Sequence, residues 1–159
     1  MRKRACACDR TRLPVPLDMI ASPMSAREQA PPPKVAPRVI GAPKIRQLFW
    51  CDFPQDAQLP EFWKRRPVII ISYRNTLYGA VTVIPCSTQA QAGNPWAFPL
   101  HKTIDGRAAW AICDKPSTVA VSRLVPDKSG VPRLREAEFD DMLRLMLNWL
   151  PKPALPPAP

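Results

Sequence analysis

The chain has 159 residues, 46% of them hydrophobic, and a formal net charge of +10, which bounds it to one domain with tails. The charge is unevenly placed: ten Lys/Arg and three Asp/Glu lie between Met1 and Arg46, but twelve and ten between Gln47 and Leu150. The body is therefore only mildly basic, and a charge-based case for nucleic-acid binding rests mainly on the tail. Five scattered cysteines with no Cys-x-x-Cys pair and a single histidine, His101, argue against a zinc site, so no metal or cofactor is expected. Cys51, Cys86 and Cys113 fall in apolar runs, where a free thiol behaves as a small hydrophobe, and this points to a reducing cytoplasm. No apolar segment follows the basic start Met1-Arg2-Lys3-Arg4 as a secretion signal requires, and no run reaches membrane-spanning length. The expectation is a soluble cytoplasmic protein.

Residues 1 to 43 hold eight prolines and little apolar periodicity, which predicts a disordered, basic, proline-rich tail. Pro31-Pro32-Pro33 suggests a short polyproline II piece, and Met19 or Met24 is an alternative start. The tail's charges read as solvated, with a basic arm for RNA or a partner as the alternative. The folded body is expected over 44–150, followed by a second proline-rich tail over 151–159.

Ile45 to Phe53 alternates as a strand, with Ile45, Gln47, Phe49, Cys51 and Phe53 on one face and Arg46, Leu48, Trp50 and Asp52 on the other. The connection from Gln55 to Arg65 carries Phe62 and Trp63, which either tuck onto the core or make a stacking surface beside Arg66. Arg65-Arg66-Pro67 then runs into Val68-Ile69-Ile70-Ile71. An apolar, β-branched run bounded by breakers predicts a central strand, Pro67 to Tyr73, buried on both faces. Asn75 and Gly79 supply the next turn. Ala80 to Ile84 is a strand stopped by Pro85, with the hydroxyl-rich Cys86-Ser87-Thr88-Gln89 after it. Trp96 to Leu100 and Ala108 to Cys113 are short strands about an Asp105-Gly106 turn, and Val119 to Val125 is extended or partly helical. Glu136 to Leu150 is the one convincing helix: Phe139, Met142, Leu143, Met146, Leu147 and Leu150 follow helical spacing, and Glu136 and Glu138 suit its first turn. The fold class is mostly β, a small, mostly antiparallel barrel or curled sheet crossed by one C-terminal helix.

Three polar groups stand at predicted strand ends: Arg66 before one, Ser87-Thr88 after another, Asp114 after a third. If the strands behind Arg66 and ahead of Ser87 are antiparallel neighbours, those two residues meet. A fixed guanidinium, a hydroxyl and a carboxylate suit phosphate recognition, because the planar fork of arginine matches phosphate oxygens as a lysine cannot. The plainer alternative is that these are merely polar strand ends.

The order of motifs adds to this. Ile45-Arg46-Gln47-Leu48-Phe49-Trp50-Cys51-Asp52-Phe53, Arg66-Pro67-Val68-Ile69-Ile70-Ile71-Ser72, Val83-Ile84-Pro85-Cys86-Ser87-Thr88-Gln89 and Cys113-Asp114-Lys115-Pro116-Ser117-Thr118-Val119 follow one another in order, with Arg123-Leu124 and the closing helix behind them. Over residues 45 to 150 the chain resembles the MazF/PemK family of mRNA interferases, the toxins of type II toxin–antitoxin pairs. The resemblance implies an SH3-like barrel of the MazF/PemK/CcdB type, a homodimer, and an antitoxin partner. It also implies metal-independent cleavage of single-stranded RNA by 2′-hydroxyl attack, leaving a 2′,3′-cyclic phosphate and a 5′-hydroxyl. By the same resemblance Arg66 stabilises the phosphate, Ser87 takes the place of the family's threonine at the scissile phosphate, and Asp114 sits where the PemK/Kid branch has its candidate base. Arg65, Trp63, Thr88 and Lys115 are the expected RNA contacts.

Two positions depart from the pattern. Ile112 stands where the PemK/Kid branch has an arginine, and the segment from Gln55 to Arg65 replaces a Gly-rich first loop. The alternative reading is a same-fold protein that acts by binding alone, to a gyrase-type protein target as CcdB toxins do, to RNA or to an antitoxin. Trp149-Leu150 running into Pro151, in place of the Trp-Gly-Ile ending of CcdB toxins, disfavours the gyrase version.

Overall fold

The computed structural model describes residues 31–152. The tail through residue 30, with the starts Met19 and Met24, and residues 153–159 lie outside this range. The folded body begins at Lys34.

Seven strands and one helix make up the body: β1 (Leu48–Cys51), β2 (Arg66–Ile70), β3 (Ala80–Ser87), β4 (Ala97–Pro99), β5 (Trp110–Ile112), β6 (Ser117–Ala120), β7 (Leu124–Val125) and α1 (Glu136–Trp149). They form one sheet in the order β4-β5-β3-β2-β1-β7, with β6 also paired to β3, and every pairing is antiparallel. One turn of 3-10 helix, Val121–Arg123, joins β6 to β7. This is the small antiparallel barrel that the strand pattern predicts. Among the described residues, no helix is long and apolar enough to cross a membrane.

The central run Val68-Ile69-Ile70 is fully buried because β2 lies between two neighbours and both its faces are covered. Alternation sends Val68 and Ile70 into one core with Phe49, Cys51, Val81, Val83 and Val121. It sends Ile69 into a second core with Leu48, Ile84, Cys86, Phe139 and Met142. The first core fills the barrel and the second lies beneath the helix. Each of these aliphatic side chains contributes on the order of 1.5–3 kcal/mol by leaving water. Helix α1 reaches the second core through Phe139 and Met142, while Leu147, Trp149 and Leu150 stay exposed at its far end.

Several boundaries differ from the sequence expectation: the central strand ends at Ile70 and not Tyr73, the next two short strands are trimmed to Ala97–Pro99 and Trp110–Ile112, and two further differences have a clear backbone cause. The first strand begins at Leu48, because Arg46 has φ 70, a left-handed conformation that interrupts the extended chain. There the Arg46 N–H donates to the Ile70 carbonyl at 2.9 Å, its own carbonyl accepts from Leu134, and its guanidinium donates to Glu136 at 2.8 Å. Strand β3 does not stop at Pro85 but continues to Ser87. The Ile71 N–H donates to the Thr82 carbonyl at 3.0 Å, so by alternation Ile84 faces β2 and Pro85 turns its nitrogen to the opposite edge. On that edge β3 changes partner, from β6 at Val83 to β5 at Cys86. A missing N–H there removes no ladder bond, so proline is tolerated inside the strand.

Candidate active site

The β2–β3 register pairs Val68 with Pro85 and Ile69 with Ile84. Continued by two residues, it sets Arg66, the first residue of β2, opposite Ser87, the last of β3. The parity that turns Pro85 away from β2 makes this a non-hydrogen-bonded pair, the type in which facing side chains lie closest. Both side chains lie on one side of the sheet, at the end of the barrel. Arg66 and Ser87 line a single cleft of about 300 Å³.

Ser87 is buried, at 4% exposure. Its Oγ accepts from the Gln89 N–H at 3.2 Å and from Gln91 Nε2 at 3.3 Å. A hydroxyl with both lone pairs taken has its own proton left to donate. Arg66 lies with its guanidinium carbon 4.9 Å from the centre of the Phe62 ring. Its Nε is buried with no hydrogen-bond partner, and among the described residues no carboxylate forms an ion pair with it. The sequence thus ends a rigid strand in a cation that an aromatic face holds and, among the described residues, no anion neutralises.

The surroundings strengthen that field. Lys64, Arg65, Arg66 and Arg107 line the cleft against one carboxylate, Asp105, and Thr88 borders it beside Ser87. Arg65 lies 5.6 Å from the centre of the Trp50 ring, with Nε 3.8 Å from Asp52 Oδ1. Trp50 is itself held, its Nε1 donating to Asp127 Oδ1 at 3.2 Å. Hydrogen bonds from Ser129, then from Trp50, pull the Asp127 carboxyl down to a pKa of about 2. Four cations against one carboxylate in a small concavity attract a polyanion.

Of the residues singled out from sequence, Arg65, Arg66, Ser87 and Thr88 meet in this cleft. Trp63, Lys115 and Asp114 do not line it. Trp63 is 44% exposed, with Lys64 Nζ 4.4 Å from its ring centre. Lys115 Nζ lies 5.6 Å from the centre of the same Phe62 ring that Arg66 faces and borders the neighbouring groove. Asp114 follows β5 and has a buried Oδ1 without a hydrogen-bond partner. Sequence reasoning did not single out Trp50, Lys64 or Arg107. Lys64 could have been found as part of the run Lys64-Arg65-Arg66, whereas Trp50 arrives through strand pairing, and the Asp105-Gly106 turn seen in the sequence gives no sign that Arg107 beside it reaches the cleft. Phe62 takes both expected places at once, packing against the barrel core and lying under Arg66.

A sequence model of the PemK-like, MazF-like toxin of type II toxin–antitoxin systems matches residues 44–149. The chain belongs to this toxin family. A MazF from Deinococcus radiodurans superposes with a TM-score of 0.55 at 18% identity, over 67% of this chain and 94% of that one. An endoribonuclease from a mycobacterial species superposes with a TM-score of 0.51 at 19% identity, over 70% and 96%. At these identities the likeness establishes the fold, and the barrel closed by one C-terminal helix is that of the MazF toxins. No curated protein matches the chain. In this MazF-like toxin, the cationic cleft at the β2–β3 end lies within the matched residues.

Proposed function

We propose that this MazF-like toxin is an endoribonuclease that cuts single-stranded RNA without a metal, and that Arg66 and Ser87 hold the phosphate that is cut. The observation that carries the reading is the pairing of an unneutralised, aromatic-backed guanidinium with a hydroxyl free to donate, at the mouth of a cleft with four cations. In the reaction the ribose 2′-oxygen bonds to the adjacent phosphorus and the bond to the 5′-oxygen breaks. The 2′-hydroxyl loses its proton and the leaving 5′-oxygen gains one. The crowded intermediate gathers negative charge on its non-bridging oxygens, where preorganised donors act most strongly. The Arg66 fork and the Ser87 hydroxyl supply such donors, with Arg65, Lys64 and Arg107 steering the chain.

The protein acts as a homodimer whose activity an antitoxin neutralises. The uncovered Leu147, Trp149 and Leu150 at the end of α1 form an apolar patch of the kind that a second subunit covers.

The test is incubation of the purified full chain with a mixed-sequence RNA in EDTA, followed by mapping of the ends. Cuts that leave 5′-hydroxyl groups, lost in Arg66→Ala, carry the proposal. Intact RNA, or cutting unchanged by Arg66→Ala, refutes it.

A further inference from the structure

Strand β6 pairs with β3 and with no other strand. The Val121 N–H donates to the Gly79 carbonyl at 3.0 Å. By alternation, the hydrogen-bonded pairs beyond it are Val119 with Val81 and Ser117 with Val83. Thr118 and Ala120 therefore turn their N–H and C=O groups away from β3. The Thr82 carbonyl, committed to Ile71 just past the end of β2, agrees with that parity. The Ala120 carbonyl is taken by the 3-10 turn Val121–Arg123 that it caps, but among the described residues nothing bonds to the Thr118 N–H and C=O or to the Ala120 N–H, which leaves an open strand edge.

The edge is one wall of a groove of about 590 Å³ that six consecutive residues, Lys115 to Ala120, border. Across the groove stand Phe53, Pro54, Pro60 and Phe62, with the two phenylalanine rings 5.7 Å apart. Lys115 precedes the strand and Arg123 follows it, and both border the groove. The one carboxylate on the groove, Glu61, already accepts from the Gln58 N–H at 3.0 Å.

We propose that an extended acidic segment of the antitoxin adds to β6 here as an antiparallel strand. A strand offers outward N–H and C=O groups at every second residue, about 6.8 Å apart, and these match the N–H and C=O of Thr118 and the N–H of Ala120. The residue opposite Val119 projects to the barrel side, between Phe53 and Phe62, and takes a large apolar side chain. The residue two further along the added strand lies opposite Ser117 and carries a carboxylate toward Lys115. The recognised pattern is apolar, any residue, acidic. That carboxylate lies near the Phe62 ring that Arg66 also faces, so the bound strand competes with an RNA phosphate. The source of the strand rests on the proposed toxin function. The docking geometry does not.

The probe is the end-capped hexapeptide Thr-Thr-Phe-Thr-Glu-Thr, added to the full chain while amide exchange is followed by nuclear magnetic resonance. Thr118 and Ala120 amides should slow on binding, and Val119, already bonded to Val81, should not change. N-methylation of the peptide's fourth residue removes the donor to the Thr118 carbonyl and should weaken binding about tenfold or more. N-methylation of the third, which points away from β6, should leave affinity within about twofold. Thr118→Pro removes an outward donor at an edge position that accepts proline and should abolish the protection. Absence of saturable binding, or equal effects of the methylations, overturns the proposal. Protection of the same two amides by a mixed-sequence RNA and not by the peptide overturns it in favour of nucleic acid. A chain that binds the peptide but cuts no RNA refutes the nuclease reading and leaves the strand addition standing.

Discussion

Arg66 and Ser87 face each other across the β2–β3 ladder, each held from behind: the guanidinium by the Phe62 ring, the hydroxyl by donors from Gln89 and Gln91. Removing one donor to a developing oxyanion lowers kcat about 10²–10³-fold, and Arg66→Ala is expected to fall in that range. Arg66→Lys keeps the charge but loses the two-pronged fork, so it should recover only part of the loss. Single-turnover cleavage of a fluorescent RNA at saturating protein measures both. Full activity in the lysine variant would mean that charge alone matters.

Ser87→Ala should impair turnover more than Ser87→Thr, since threonine keeps the hydroxyl. The site is buried, however, and the extra methyl must find room. Comparing kcat with the urea midpoint of each variant separates chemistry from packing. Equal losses of activity in both variants, matched by equal losses of stability, would assign Ser87 to packing.

Much of this arrangement was legible in the sequence, for definable reasons. The β2 run is buried on both faces, so it needs no alternation to be seen, and α1 shows through the spacing of Phe139, Met142 and Leu143. Arg66 and Ser87 could be paired because antiparallel neighbours bring the start of one strand to the end of the next. Pro85 misled because its local rule, that proline ends a strand, holds only where its nitrogen faces a ladder partner. Arg46 gave no signal at all, as its left-handed backbone is fixed by contacts with Ile70, Leu134 and Glu136, all distant in sequence. Trp50 enters the cleft through the same kind of long-range pairing, opposite Pro67.

The middle and the C-terminal end of α1 should respond differently to truncation. Met142 is fully buried, whereas Leu147 is 56% exposed. Met142→Ala leaves a cavity beneath the helix and should cost about 2–5 kcal/mol, but Leu147→Ala should stay within about 0.5 kcal/mol in the monomer. Urea unfolding at low protein concentration checks both. A large, concentration-dependent loss for Leu147→Ala would instead show that this end of the helix is covered by a second subunit.

The buried thiols should be inert in the native protein. Burial pushes Cys51 up to about 12 and Cys113 up to about 11, and it also raises Cys86. The reactive thiolate is therefore scarce at neutral pH. In a Cys6→Ser, Cys8→Ser background, a disulfide reagent at about pH 8 should label none of the three before urea is added and all three afterwards. A folded pKa above the unfolded value, 9.0 in the reference scale, also means that stability falls as pH rises past that value. Rapid native labelling of Cys113, which bonds the Met142 carbonyl, would reveal that α1 lifts from the sheet.

Asp127 sets an acid limit behind Trp50, which lines the cleft. Its carboxyl lies at about 2, below the ordinary 3.8, through hydrogen bonds from Ser129 and then Trp50. A depressed folded pKa stabilises the protein above the unfolded value and ceases to do so as pH falls through the folded one. The wild-type chain should therefore lose stability between about pH 4 and about pH 2 more steeply than Asp127→Asn. The same substitution weakens the hold on the Trp50 indole, and with it the seat of the Arg65 guanidinium. Neutral-pH cleavage by Asp127→Asn should show a raised KM with kcat little changed, because Arg65 steers the RNA chain and does not touch the reacting atoms. Urea midpoints across the acid range and a kcat–KM comparison at neutral pH test the two halves separately. An acid profile identical to wild type would show that Asp127 is not held by these bonds in solution.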